Sequence, residues 1–240
     1  MKKVLLACVA LGLMASTASA TIIATDPAGD EFSFNGNMDL IQLEANSNAT
    51  DLVLTLSING DIAAANWGKY LFFIDTDNVA GSGGASQFPT DPPTNDGNPW
   101  IRNIAIGDTN HLAEYFIGSW VDAGGGTQLF GFGGGVWTQS ASTPTQVITP
   151  GAISTVSYTI ALSDLGVGVG DTIFLEGFSS GGGNFDTAND TVNSPSDDWN
   201  AAGWQDQALV ANSTPYTIVP EPASRVLFGH GGLVLLRRRR

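Results

Sequence analysis

Between Thr21 and Ile218 the apolar residues come in short runs, some alternating with polar residues and some apolar throughout, and clusters of Gly, Asn, Asp and Pro separate them. A chain punctuated in this way forms strands and hairpins, because no stretch is long enough to present a continuous helical face. Leu52, Leu54, Leu56 and Ile58 alternate with Val53, Thr55 and Ser57, and Val156, Tyr158 and Ile160 alternate with Thr155, Ser157 and Thr159. Tyr70 to Ile74 is apolar at every position, the pattern of a central strand covered on both faces. Further strands are expected over Met38 to Ala45, Trp100 to Ile106, Ala113 to Val121, Thr127 to Phe132, Asp171 to Phe178 and Gln207 to Ile218. The pattern predicts an all-β fold, an antiparallel β-sandwich of about ten strands in two sheets. The one helical piece expected in this body is a turn at Leu162 to Leu165, stopped by Gly166.

Charge narrows the function classes. The body from 21 to 218 holds only Lys69 and Arg102 against 22 carboxylates, a net charge of −20. Such a surface repels phosphate backbones and anionic lipid, which argues against nucleic-acid binding. Glycine-rich stretches at 81–84, 124–126, 133–135 and 181–183 are not followed by Lys-Ser or Lys-Thr, so they read as hairpin loops and not as phosphate cradles. The longest irregular stretch, Asn78 to Pro99, is placed to cover or rim a binding surface.

The two ends read as removable segments. Lys2 and Lys3, the apolar stretch Val4 to Met14 and Ala18-Ser19-Ala20 make the three parts of a secretory leader, a signal helix over 1–20. Cys8, the sole cysteine, lies inside that leader. The mature body is therefore expected to lack disulfides, thiol nucleophiles and cysteine-ligated zinc.

At the other end stand Val219, Pro220, Glu221 and Pro222, then Arg225, an apolar run from Val226 to Leu236, and Arg237, Arg238, Arg239 and Arg240. This order resembles the PEP-CTERM sorting signal of Gram-negative and related bacteria: a Pro-Glu-Pro motif, a short hydrophobic helix and a basic terminus. The prolines hold the motif extended, and the arginines would stay on the cytoplasmic side during export. The resemblance implies processing by an exosortase, a membrane-embedded protease, after transient membrane insertion of the tail. Two positions depart from the pattern, Arg225 and His230. The run spans only about 16 Å as a helix, against a hydrocarbon core of about 30 Å. The alternative of a GPI-type signal is opposed by the terminal arginines. Three segments follow: 1–20 signal peptide, 21–218 β-sandwich domain, 219–240 sorting signal.

The body carries a second likeness. Asp26-Pro27-Ala28-Gly29-Asp30, Met38 to Leu43, Asp51 to Leu56, Tyr70 to Asp77 and Tyr158 to Gly166 follow one another in an order similar to the β-sandwiches of family-nine carbohydrate-binding modules and of the C-terminal module of glucodextranase.

Catalytic signals are sparse. His111 is the only histidine of the body, so a site built from several imidazoles is excluded, and its setting after Asp108-Thr109-Asn110 reads as an exposed loop. Carboxylate pairs for glycoside hydrolysis are many, and no pair stands out. Acidic loops fit calcium better, since Ca2+ takes six to eight oxygens. Asp26 and Asp30 flank a Pro-Ala-Gly turn that can bend both toward one ion, and the resemblance points to the same loop; Glu31 adjoins it. Asp75 and Asp77 miss the EF-hand spacing. Asp186, Asp190, Asp197 and Asp198 read first as solvated acids.

Trp67, Trp100, Trp199 and Trp204 lie in or beside polar loops and are candidate sugar platforms, because indole faces stack on pyranose C–H faces; lone surface aromatics are the other reading. Trp120 and Trp137 fall in strand patterns and are expected in the core.

The expectation is an exported, non-enzymatic protein of the cell surface or extracellular matrix that binds extracellular polysaccharide, with Ca2+ fixing its loops. A structural matrix protein without a ligand is the alternative, and a glycoside hydrolase or accessory module the third reading.

Overall fold

In the computed structural model, residues 20–31, 35–84, 100, 103–183, 186–192, 203–204, 208–210 and 213–220 are described. The leader up to residue 19, the tail from Glu221 onward, Arg102, Trp199, Asp197, Asp198 and most of the 78–99 loop lie outside them. The described residues hold fourteen strands: β1 (Thr21–Thr25), β2 (Leu40–Ser47), β3 (Asp51–Ile58), β4 (Lys69–Asp75), β5 (Ile104–Ile106), β6 (Tyr115–Trp120), β7 (Gly126–Gly133), β8 (Val136–Gln139), β9 (Thr145–Thr149), β10 (Ser154–Ala161), β11 (Thr172–Ser180), β12 (Ala188–Thr191), β13 (Ala208–Val210) and β14 (Thr214–Thr217). The expected helical turn is present as a 3-10 turn over Leu162–Asp164.

The fold is all-β and sandwich-like. One antiparallel sheet runs β1-β2-β3-β10-β9, and the other runs β12-β11-β4-β6-β7-β8, with β14 also paired to β11. The β2–β3 hairpin closes because the Asn48 Oδ1 accepts from the Thr50 and Asp51 amides at 2.7 and 2.8 Å, a side chain standing in for a turn carbonyl. That register places Leu52, Leu54, Leu56 and Ile58 on one buried face. They meet Val156, Tyr158 and Ile160 of β10 and Tyr70, Phe72 and Ile74 of β4 in a single apolar core between the sheets.

The second sheet is also covered on its far side. Leu71 and Phe73 of β4 join Phe116, Phe130, Trp137 and Phe178 in a separate apolar cluster that includes Ile104, Ile106 and Val210. The last three belong to β5 and β13, which pair with each other in parallel. Every apolar residue of β4 is thus buried, as its unbroken apolar sequence predicts. The Gln207 to Ile218 segment differs from expectation: it holds two strands, β13 and β14, that join different sheets.

A buried polar knot fastens the two sheets. The Tyr158 hydroxyl lies 2.8 Å from the Tyr70 carbonyl and 2.6 Å from the Ser119 hydroxyl, which itself reaches the same carbonyl at 2.7 Å. Burial inside an apolar core makes each of these hydrogen bonds costly to lose.

Candidate functional site

The turn after β1 carries the first two acids. Gly29, at φ +86°, lets the chain double back in a conformation that disfavours side-chain-bearing residues. Its amide donates to Asp39 Oδ2 at 2.7 Å. Asp39 follows the short 3-10 turn Gly36–Met38, and the same oxygen accepts from Asn59 Nδ2 at 2.8 Å. A third element closes the group. Asp190 of β12 accepts the Leu40 amide at 2.5 Å on Oδ2 and the Thr191 amide at 2.8 Å on Oδ1. Carboxylate oxygens of Asp26, Asp30 and Asp190 then lie within 4.8 Å of one another.

The sequence reading of Asp190 as a solvated loop acid is corrected here: it is a buried strand residue, because β12 packs against the start of β2. Asp39, which the sequence did not single out as a ligand, is about 1% exposed. Glu31 is buried beside the turn, and Glu176 of β11 is buried as well.

The electrostatics are one-sided. Burial, followed by the charge of Asp30, raises the Asp26 carboxyl to about 8, and burial raises Asp190 to about 9. Asp30 and Glu31 are raised from the ordinary carboxylate range, chiefly by burial. Glu176 is raised well above it by burial and then by the charges of Asp26 and Asp190. Lys69 is the only lysine or arginine among the described residues, and the acids that act on it are Asp122 and Asp186.

Among the described residues, buried oxygens of Asp26 (Oδ2), Asp30 (Oδ1), Glu31 (Oε2) and Asp39 (Oδ1), with both of Glu176, find no hydrogen-bond partner. Native interiors leave few such groups, and each calls for a physical explanation. A hard divalent cation supplies one: calcium is bound by carboxylate oxygens drawn from several loops, and it removes the mutual repulsion. The donor set of Asp26, Asp30 and Asp190, all oxygen, fits Ca2+ and not a soft metal.

The second acidic group is different. Asp75, Asp77 and Glu114 also bring oxygens within 4.8 Å. Their oxygens, however, are taken up locally: Asp75 by the Asp77 and Asn78 amides, Asp77 by the Val79 amide and Ser82, and Glu114 by the Thr76 amide and Ser82. His111 is not the exposed loop residue expected. Its Nδ1 lies 2.9 Å from Asp75 Oδ2, and its ring stacks on Phe174 with centroids 3.8 Å apart. Apolar cover from β11 holds it there. Asp186 caps its own loop, accepting the Gly183 amide at 2.7 Å.

Four of the five described tryptophans fall into two pairs. Trp67, 40% exposed, meets Trp204 edge-on with centroids 5.6 Å apart. Trp100 stacks on Trp120 at 5.8 Å and 11°. Trp120 is therefore only half-buried and leaves the core position expected of it, whereas Trp137 takes one. Trp100 is heavily engaged: its Nε1 donates to Gln128 Oε1 at 3.0 Å, and the Lys69 ammonium sits 5.1 Å from its ring. A Cβ on Gly118 would stand 2.9 Å from the same indole, so glycine there is what lets the ring lie against the sheet. The sequence identified Trp100 as a loop aromatic but contains no local sign of this stacking.

The Trp67–Trp204 pair is tied by hydrogen bonds to the segments that lead into Asp39 and Asp190. Asn37 Nδ2 donates to the Ala65 carbonyl at 2.8 Å, two residues before Trp67, and the Thr187 amide donates to the Trp204 carbonyl at 2.8 Å, next to β12. No protein-family model matches the chain, and no curated protein matches it.

Proposed function

We propose that this chain is an exported, non-catalytic β-sandwich protein that binds neutral glycans at the cell surface or in an extracellular matrix, with calcium holding its loops. The observation that carries the reading is the Trp67–Trp204 pair, in which one exposed indole stands against a second in an edge-on corner. Such a corner offers an apolar wall to a sugar ring while leaving its hydroxyls to polar neighbours. A net charge of −20 over residues 21–218 favours an uncharged ligand over an anionic one. The leader and the Pro220-Glu221-Pro222 tail support export and exosortase processing.

Binding is tested by affinity electrophoresis of the full chain in gels containing xylan, glucomannan or laminarin. Retardation by at least one polysaccharide, lost in Trp67→Ala and in Trp204→Ala, is the expected result; unretarded migration in all of them defeats the reading. A matrix protein without a ligand is the second reading. It is favoured by the Trp100–Trp120 stack, where one of the candidate surface indoles, Trp100, packs against the protein's own residues.

A further inference from the structure

Two pieces of backbone link the acidic group to the tryptophan pair. On one side the 3-10 turn Gly36–Met38 runs straight into Asp39, and its Asn37 side chain holds the Ala65 carbonyl. The Tyr70 hydroxyl donates to the Asn37 carbonyl, and Gly68 packs on the Met38 sulfur, where an added Cβ would stand at 3.1 Å. The segment that carries Trp67 therefore rests on this turn. On the other side β12 carries Asp190, and the Thr187 amide just ahead of it fixes the Trp204 carbonyl. The Leu40 amide bonded to Asp190, and the Ser179 hydroxyl bonded to the Met38 carbonyl at 2.7 Å, tie turn, strand and β11 together.

We propose that a divalent cation held among Asp26, Asp30 and Asp190 fixes the geometry of the Trp67–Trp204 pair, acting through Asp39 and the Gly36–Met38 turn on Trp67 and through β12 on Trp204, so that glycan binding depends on the cation. The acidic group is more than a surface cluster. Asp39 is buried, its Oδ2 is fastened to the turn that carries Asp26 and Asp30, and its Oδ1 has no partner. Glu31 is buried with an unpartnered oxygen as well.

Without a cation, the elements carrying these acids lose a shared anchor. With one, Asp190 and the Asp26–Asp30 turn, whose Gly29 amide is bonded to Asp39, are drawn to a common centre, and Asn37 and Thr187, two residues from Asp39 and three from Asp190, are fixed with them. A cation that binds the ordered arrangement better than the loosened one must by linkage raise affinity for whatever binds the ordered tryptophans. Asn37 and Thr187 are positioning residues in this scheme. The proposal rests on the glycan-binding reading for its consequence, but the conformational coupling is measurable without any glycan.

The experiment uses the full chain stripped with a chelator and titrated with calcium chloride alone. Two indoles in edge contact give an exciton-coupled circular dichroism band, assigned by its loss in Trp204→Phe. Calcium is expected to bind by calorimetry, to change this band with the same midpoint, and to raise affinity for a retained polysaccharide about ten-fold or more, within the ordinary range of coupling between sites. Asn37→Ala is expected to keep calcium binding while the band stops responding. Should that variant fail to fold, Asp39→Asn serves instead: it must move the calcium midpoint and the band midpoint upward by the same factor.

Calcium that does not bind at millimolar concentration, or that binds without changing the band, overturns the proposal. So does polysaccharide affinity that is equal with and without calcium, which would leave the glycan reading standing. A calcium-dependent band in a protein that binds no polysaccharide supports the coupling and removes the glycan reading instead.

Discussion

Tyr158 and Asp190 are both polar residues on buried strands, and they differ in how their polarity is met. The Tyr158 hydroxyl has two partners, the Tyr70 carbonyl and Ser119. Tyr158→Phe leaves Ser119 still bonded to that carbonyl. The loss should be about 1–2 kcal/mol of unfolding free energy, read from urea denaturation at unchanged m-value. Asp190 has its hydrogen bonds, and burial together with the nearby acids disfavours its charged form. An asparagine there can accept the Leu40 amide on its oxygen, but its Nδ2 then faces the Thr191 amide, which loses its acceptor. Asp190→Asn should therefore melt modestly lower than the parent in chelator, while the rise in Tm produced by calcium shrinks markedly, because a ligand charge is gone. A variant that melts lower in chelator and gains as much from calcium as the parent would assign Asp190 a packing role only.

At the scale of single elements, the strands that the sequence reveals are those whose alternation is built from large aliphatic residues. β3 and β10 announce themselves through Leu52 to Ile58 and Val156 to Ile160, and β4 through its aromatic run. β12 is invisible in the same terms. Ala-Asn-Asp-Thr has low strand propensity, and it is a strand only because β11 offers it a paired edge and the sandwich buries it. The same contrast governs the acidic site. Asp26 and Asp30 can be read together because one turn joins them, but Asp190 reaches Leu40 across 150 residues, a proximity that only closure of the two sheets creates. His111 was misread for a similar reason, since its partners Asp75 and Phe174 come from two other strands. β9 (Thr145–Thr149) is an edge strand with Val147 exposed, whereas Leu54 of β3 is fully buried. Val147→Thr should change stability by no more than about 0.5 kcal/mol. Leu54→Ala should cost about 2–5 kcal/mol. Chemical denaturation of both variants checks the pair, and a costly Val147→Thr would mean that β9 is covered by another part of the chain or by a second copy.

For the whole molecule, the dominant electrostatic fact is a body of 22 carboxylates and two basic groups, several of whose acids are buried together. This sets an unusual dependence of stability on pH. Asp26 and Asp190 titrate near 3.8 when unfolded and are raised to about 8 and about 9 by the fold. Between those limits the folded chain holds protons that the unfolded chain has released. Stability of the cation-free protein is then greatest in acid and is lost as pH rises through about 8 to 9, the reverse of a protein whose carboxylates are paired with bases. Glu176, raised in the same direction, adds to the slope. Calcium should change this dependence. Ligand carboxylates are ionised when the cation is bound, so protons compete with it, and its stabilising effect grows as pH rises. Melting curves of the chelator-stripped chain are expected to move down steadily from about pH 5 to about pH 9, while those recorded in millimolar calcium stay level or move up across the same interval. Stability that rises with pH in the stripped protein would mean that the acidic group is charged and compensated in the absence of any metal, and would remove the physical reason for placing a cation there.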